Sequence, residues 1–265
     1  MNMAQRPLWW LTVREKTLVY PFLWKLSLAG DSLAAFPRGR EGDYIKLLLP
    51  KDPGQDLHAV DAHNPDLNAF FKRSYTVCEV DEISSALTLY LTRHEANPGP
   101  AARFVDAVQV GQEVLLTGPG PVDQIDVSAE HFLLLGDLPS LGAVLANLRR
   151  LPASAVGDLI FEAPVPLSLI DDACPKGVTV HYLTGTLPSS ETHFPLMDKL
   201  QQLKVPKLRL GVWAACEYST MKLLKHYFLD ELKLEKSAFY LTSYFKQGAT
   251  DEQHKQTRRD EGYRD

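Results

Sequence analysis

Up to about Pro121 the apolar positions alternate with polar ones. Trp24, Leu26 and Leu28 are interleaved with Lys25 and Ser27, and Leu87, Leu89 and Leu91 with Thr88, Tyr90 and Thr92. A period of two marks strands with one buried face. Turn-forming clusters separate them: Gly30-Asp31, residues 39–43, residues 50–54, and Asn97-Pro98-Gly99-Pro100. Several short strands with little helix between them predict a small antiparallel barrel.

After Gly118-Pro119-Gly120-Pro121 the pattern changes. Residues 132–135 are an unbroken apolar run, as expected of a strand buried on both faces, and Gly136-Asp137 end it. Pro139 suits a first helical turn, and Leu141, Val144, Leu145, Leu148 and Leu151 form a helical stripe. The unit recurs, with strands expected over 159–161, 178–182, 208–214 and 239–242 and helices over 194–203 and 218–232. Strands alternating with helices imply a parallel sheet, with its ligand site beyond the carboxyl ends of the strands. Residues 250–265 are almost wholly polar and read as a mobile tail or a surface arm. The expected division is a barrel over 1–121, an α/β domain over 122–248 and a polar tail over 249–265.

Composition narrows the function. In a chain of 265 residues a net charge of −5 argues against a general nucleic-acid binder, which needs a basic surface to displace counterions. Cys78, Cys174 and Cys216 are odd in number and widely spaced, with no CxxC, so reduced thiols are expected and no metal site. No apolar run approaches the roughly 20 residues of a spanning helix. The run Leu8-Trp9-Trp10-Leu11 is broken by Thr12 and Arg14, too short for a signal-peptide core. A cytoplasmic monomer without membrane or nucleic-acid partners is expected.

A barrel followed by a parallel-sheet domain is a plan for moving electrons, with flavin on the first and a nicotinamide donor on the second. In Arg73-Ser74-Tyr75-Thr76, Tyr75 can lie along an isoalloxazine, Ser74 or Thr76 can hydrogen-bond the ring, and Arg73 can neutralise the pyrophosphate. The bland alternative is an ordinary strand with a surface Arg and a core Tyr. His94 with Gly99-Pro100-Ala101-Ala102-Arg103-Phe104 offers small residues and a helix start to a phosphate, or merely a capped helix. Gly118 could bring backbone close to a flavin, or belong to a plain turn.

Taken in order, Arg-x-Tyr-Thr, Gly-Pro-Ala-x-x-(aromatic) and Gly-Pro-x-Gly resemble the siderophore-interacting protein family. So do Gly136-Asp137-Leu138-Pro139-Ser140-Leu141, the segment from Trp213 through Glu217 to Ser219, and the closing strand that runs through Tyr244, Phe245 and Lys246 to Gly248. The resemblance spans about Leu11 to Gly248 and implies a ferredoxin-reductase-like fold, bound FAD and ferric-siderophore reduction. Phe104 stands where the family usually has Trp, Cys216 where it has Gly, and Ser243 and Phe245 where it has Gly and Trp. With the resemblance in place, Thr92 and Tyr244 join the FAD contacts proposed above. Basic residues near the flavin hold the siderophore in the family, and Lys46 and Lys246 fall in similar segments.

No Gly-x-Gly-x-x-Gly follows a strand in the second half, so the dinucleotide fingerprint is missing. NADH or NADPH, if either is the donor, would meet Gly136, Asp137 and Ser140 at one helix start and Glu217 and Ser219 at the next. Helix capping is the competing role for Asp137 and Ser219. Ferredoxin is an alternative donor. Competing functions are a general flavin- or ferredoxin-type reductase and a non-redox siderophore carrier.

Overall fold

The computed structural model describes residues 6–52, 54–63, 65–93, 99–185 and 192–262. The chain divides into two compact units, Met1–Val122 and Asp123–Asp265.

The first unit holds β1 (Leu8–Tyr20), β2 (Leu23–Ala29), β3 (Tyr44–Pro50), β4 (Phe70–Thr76), β5 (Glu79–Asp81), β6 (Ala86–Thr92), α1 (Pro100–Ala107) and β7 (Glu113–Gly120). The strands form one seven-stranded sheet in the order β4-β3-β7-β1-β2-β6-β5, with every pairing antiparallel. β4 and β6 also touch, so the sheet curls into a barrel. Alternation builds the barrel core: Trp9, Leu11 and Val13 of β1, Leu26 and Leu28 of β2, and Leu87, Leu89 and Leu91 of β6 are buried together. β1 begins at Leu8, within the stretch read from sequence only as a short apolar run. Its burial alternates from the first residues, and it pairs with both β2 and β7.

The second unit holds β8 (His131–Asp137), α2 (Leu141–Arg150), β9 (Val156–Glu162), α3 (Ser168–Ala173), β10 (Gly177–Leu183), α4 (Pro195–Gln202), β11 (Leu210–Glu217), α5 (Tyr218–His226), β12 (Phe239–Phe245) and α6 (Asp251–Asp260). The sheet order is β10-β9-β8-β11-β12, all parallel. The chain leaves β8 toward β9 and β10, then returns to β11 on the other side. The strand order therefore reverses between β8 and β11, where such sheets bind ligands. β8 is buried from Phe132 to Asp137 and β11 along its whole length, in keeping with strands covered on both faces. Asn147, fully buried on α2, accepts from Ile125 N at 2.8 Å and donates to Ala143 O at 2.9 Å.

Two segments differ from the sequence reading. α3 is too short for a helical stripe to announce it. The polar tail contains a helix, α6, opened by a reciprocal cap between Thr250 and Gln253. α6 docks through polar groups: His254 is buried with Nε2 2.9 Å from Ser243 Oγ, and Arg258 donates to Ser243 O at 2.9 Å and Thr242 Oγ1 at 3.1 Å. A helix held by hydrogen bonds carries no apolar stripe, so hydropathy does not reveal it. Among the described residues no helix is long and apolar enough to cross a membrane.

Candidate functional site

The motif around Arg73 lies on β4, an edge strand of the barrel sheet. Register separates its side chains. Arg73 is opposite Leu47 and Tyr75 opposite Ile45, both fully buried, while Ser74 is opposite Lys46 and Thr76 opposite Tyr44. Paired residues share a face, so Arg73 and Tyr75 lie on one side and Ser74, Thr76, Lys46 and Tyr44 on the other. Tyr75 is half-buried and packs against the barrel core, as do Ala101 and Phe104 of α1. The strand and the start of the helix thus rest on one cluster. Ser74 is exposed. Lys46 is half-buried, its Nζ 5.7 Å from the centre of the Tyr44 ring.

α1 begins as its sequence suggests. Gly99 is the N-cap, Pro100 the first helical residue, and the cap's carbonyl accepts from Arg103 N at 3.0 Å. The amides of Ala101 and Ala102 therefore stand at the helix start with no partner inside the helix. Gly99 is exposed with an ordinary φ of −67°, and a Cβ added there would meet nothing within 4 Å. Neither packing nor backbone conformation requires glycine at this position. Open space, two backbone donors and the positive end of a helix fit the pyrophosphate of FAD. Thr92 closes β6, and Arg93 joins that strand to Phe22 O at 2.8 Å and to Asp106 of α1 at 3.7 Å. His94 lies outside the described residues.

Gly118 has its own local explanation. Its φ is +134°, a Cβ would lie 3.2 Å from Tyr44 O, and its carbonyl accepts from Trp9 Nε1 at 2.8 Å. These contacts are internal to the barrel. Tyr244 lies in the second unit, half-buried on β12.

The residues predicted to meet a nicotinamide donor cluster at the carboxyl ends of β8 and β11. Gly136 is packed tight, since a Cβ there would lie 2.7 Å from both Ser140 Oγ and Val144 Cγ2. Ser140 is fully buried, its Oγ accepting from Asp137 N at 3.0 Å and donating to Asp137 O at 2.8 Å. Glu217 is fully buried, and its Oε2 accepts from Ser219 N at 2.6 Å and Thr220 N at 3.2 Å. Its Oε1 accepts from Gln247 N at 3.2 Å, tying the start of α5 to the end of β12. The cap of α5 is therefore Glu217. Ser219 is half-buried beside Lys246 in a cleft.

Asp137 is buried, with no well-formed hydrogen bond to either carboxylate oxygen. Burial, aided by Glu162 in register on β9, pushes its carboxyl well above the usual range, against the smaller opposing pull of the Ser140 and Glu217 amides. Glu162 was not visible as a member of this group, because cross-strand register is not written in local sequence. Cys216 is fully buried, and desolvation with the neighbouring acids raises its thiol well above its usual value. A thiol held protonated is a packing residue, not a nucleophile. Among the described residues no group of three His, Cys, Asp or Glu side chains could hold a metal ion.

Comparison with known proteins covers both units. Residues 12–123 match a siderophore-interacting FAD-binding domain, and residues 129–248 match a siderophore-interacting protein domain. The chain is 24% identical over 256 residues to the ferric vibriobactin reductase ViuB of Vibrio cholerae, covering 92% of this chain and 91% of that one. The structure of the siderophore-interacting protein SipS of Aeromonas hydrophila superposes with a TM-score of 0.81 at 28% identity, over 96% of this chain and 98% of that one. The FAD/NAD-binding domain of a nitric oxide dioxygenase from Vibrio cholerae shares the fold at a TM-score of 0.65 and 15% identity, over 91% and 100% of the two chains.

Proposed function

The chain belongs to the siderophore-interacting protein family, and from that premise we propose that it is an FAD-dependent reductase of ferric siderophores. One observation carries the reading: Gly99, at the start of α1, is a glycine that neither packing nor φ demands. It opens a helix that shares a core with Tyr75 of the neighbouring motif. When bound, FAD supplies the means to take a hydride from a two-electron donor and to deliver electrons singly to iron. Arg73 and the Ala101 and Ala102 amides would hold the pyrophosphate, Tyr75 would lie along the ring, and Thr76 would offer it a hydrogen bond. Gly118, Thr92 and Tyr244 would complete the surroundings, the first through its backbone.

Siderophores hold Fe³⁺ through hard anionic oxygens. One added electron lowers the metal's charge and weakens every such bond, so reduction releases Fe²⁺ in a reducing compartment such as the cytoplasm. This asks no acid, base or nucleophile of the protein, only positive charge to hold an anionic chelate. Lys46, on the same strand face as Thr76, and Lys246 are the residues for that task. The relative named as a ferric vibriobactin reductase supports the same substrate class.

The electron donor is NADH, NADPH or ferredoxin. At the switch point Gly136, Ser140 and Glu217 already serve internal contacts, so a pyridine nucleotide would rely on backbone groups and Ser219. The test is anaerobic reduction of the purified flavoprotein by each donor in turn, followed by a ferric chelate and a ferrous trap. Bleaching by one donor and recovery with ferrous release on adding chelate is the expected course. Absence of a flavin spectrum would leave a carrier, and bleaching without recovery on any ferric chelate would leave a reductase with another acceptor.

A further inference from the structure

The second unit carries a cleft of about 330 Å³ lined by Phe194, Tyr218, Ser219, Lys222, Lys246 and Glu261. Tyr218 opens α5, and the Nζ atoms of Lys222 and Lys246 lie 5.6 and 5.7 Å from the centre of its ring. Glu261, just beyond α6, places its carboxylate 3.1 Å from Lys222 Nζ. The Tyr218 hydroxyl, with Lys222 and more distantly Lys246, holds that carboxyl below its usual range, so it stays ionised. Two ammonium groups thus face one carboxylate beside an aromatic wall, and the group keeps one unit of positive charge over.

A volume at the low end of the roughly 300–1,000 Å³ of small-molecule pockets suits one ring rather than an entire chelate. The walls then select the kind of ring. Phe194 and Tyr218 favour a flat aromatic partner, cations over a ring favour an electron-rich one, and Lys222 with Ser219 can donate to anionic oxygens. We propose that this cleft receives one anionic aromatic arm, of the catecholate type, from the ferric siderophore, and that the Glu261 carboxylate competes with that arm for Lys222. This deepens the reductase reading and rests on it. Aliphatic hydroxamate arms have no ring to place here, and their neutral ferric complexes gain little from the two lysines.

The test is calorimetric titration of the FAD-loaded full chain with redox-inert gallium complexes, an anionic tris-catecholate and a neutral trihydroxamate. Lys222→Gln should weaken the catecholate complex by about two- to five-fold, and Glu261→Gln should tighten it by a similar factor, the range for partly exposed charge pairs. The trihydroxamate should be unaffected by either. Opposite shifts confined to one chelate are not what loosened folding would give. Equal shifts for both chelates, no shift, shifts of the same sign, or a wild type that prefers the trihydroxamate would overturn the cleft assignment alone. A wild type that binds neither chelate would overturn the reductase reading with it.

Discussion

At the start of α1 Gly99 faces open space, whereas at the start of α2 Gly136 is enclosed by Ser140, Val144 and Phe161. Both glycines precede a helix that follows a strand, and both read from sequence as ligand contacts. The barrel's glycine leaves room outside the fold, and the parallel sheet's glycine gives its room to the fold. The acids and hydroxyls follow the same division. Ser140 and Glu217 meet backbone amides of their own unit, while Ser74 and the Ala101 and Ala102 amides lie on an edge strand and a helix start. A small or polar residue after a strand marks a ligand contact only where the fold has not already used it.

The strongest test of that division is Glu217→Ala. It leaves three buried or half-buried amides, those of Ser219, Thr220 and Gln247, without their acceptor. The expected loss is about 3 kcal/mol of local stability. Native-state hydrogen exchange should show it in β11, α5 and the end of β12, with the barrel's amides unchanged. A loss under about 1 kcal/mol would mean the carboxylate is free for a ligand after all.

The two glycines sharpen the comparison directly. Gly136→Ala forces a methyl group to within 2.7 Å of Ser140 Oγ and Val144 Cγ2 and should cost about 2 kcal/mol. Gly99→Ala should leave the apoprotein's unfolding unchanged but lower FAD affinity about tenfold, because the methyl group occupies the space a phosphate would use. Flavin retention on desalting and thermal unfolding of the apoprotein separate the two effects. Equal flavin occupancy in Gly99→Ala and wild type would remove the main support for a pyrophosphate at α1.

Most of the fold was legible because its periods are pure. The alternation of β2 and β6 and the apolar run of β8 translate directly into barrel and parallel sheet. β1 was hidden because two adjacent tryptophans and a leucine mask the alternation of Trp9, Leu11 and Val13. α6 was hidden because His254 and Arg258 dock it through hydrogen bonds. In the site, the motif of Arg73, Ser74, Tyr75 and Thr76 and the start of α1 were legible as local patterns. The grouping of Asp137 with Glu162, and of Lys246 with Lys222 and Glu261, was not, because register and the return of α6 bring together residues far apart in sequence.

Asp137 extends the comparison to pH. Its carboxyl is held above the usual range chiefly by burial, so the folded chain keeps a proton that the unfolded chain releases. Stability from this group is therefore full below about pH 4 and is lost as pH rises through the folded value. Asp137→Asn should flatten the decline in stability from pH 4 upward and be more stable than wild type at the alkaline end. Urea unfolding across a pH series measures this. An unchanged slope would assign the proton to Glu162 instead.

The smallest effect belongs to Lys46, where the barrel meets a charged substrate rather than a cofactor. It is half-buried on the strand face shared with Ser74 and Thr76, so its ammonium lies beside the side chain expected to contact the flavin ring. In a chain of net charge −5 an anionic chelate is repelled at long range, and a local cation has to offset that repulsion. Lys46→Gln keeps the stem and removes the charge. The KM for an anionic ferric chelate should rise about two- to five-fold at low salt, the range for a partly exposed charge. The difference should shrink as added salt shortens the screening length below roughly 8 Å. A neutral chelate should show neither change, and the rate of flavin reduction by the donor should be unaffected. If the variant matches wild type with the anionic chelate at every ionic strength, Lys46 does not hold the substrate. The flavin assignment would stand, since it rests on Gly99 and the β4 motif.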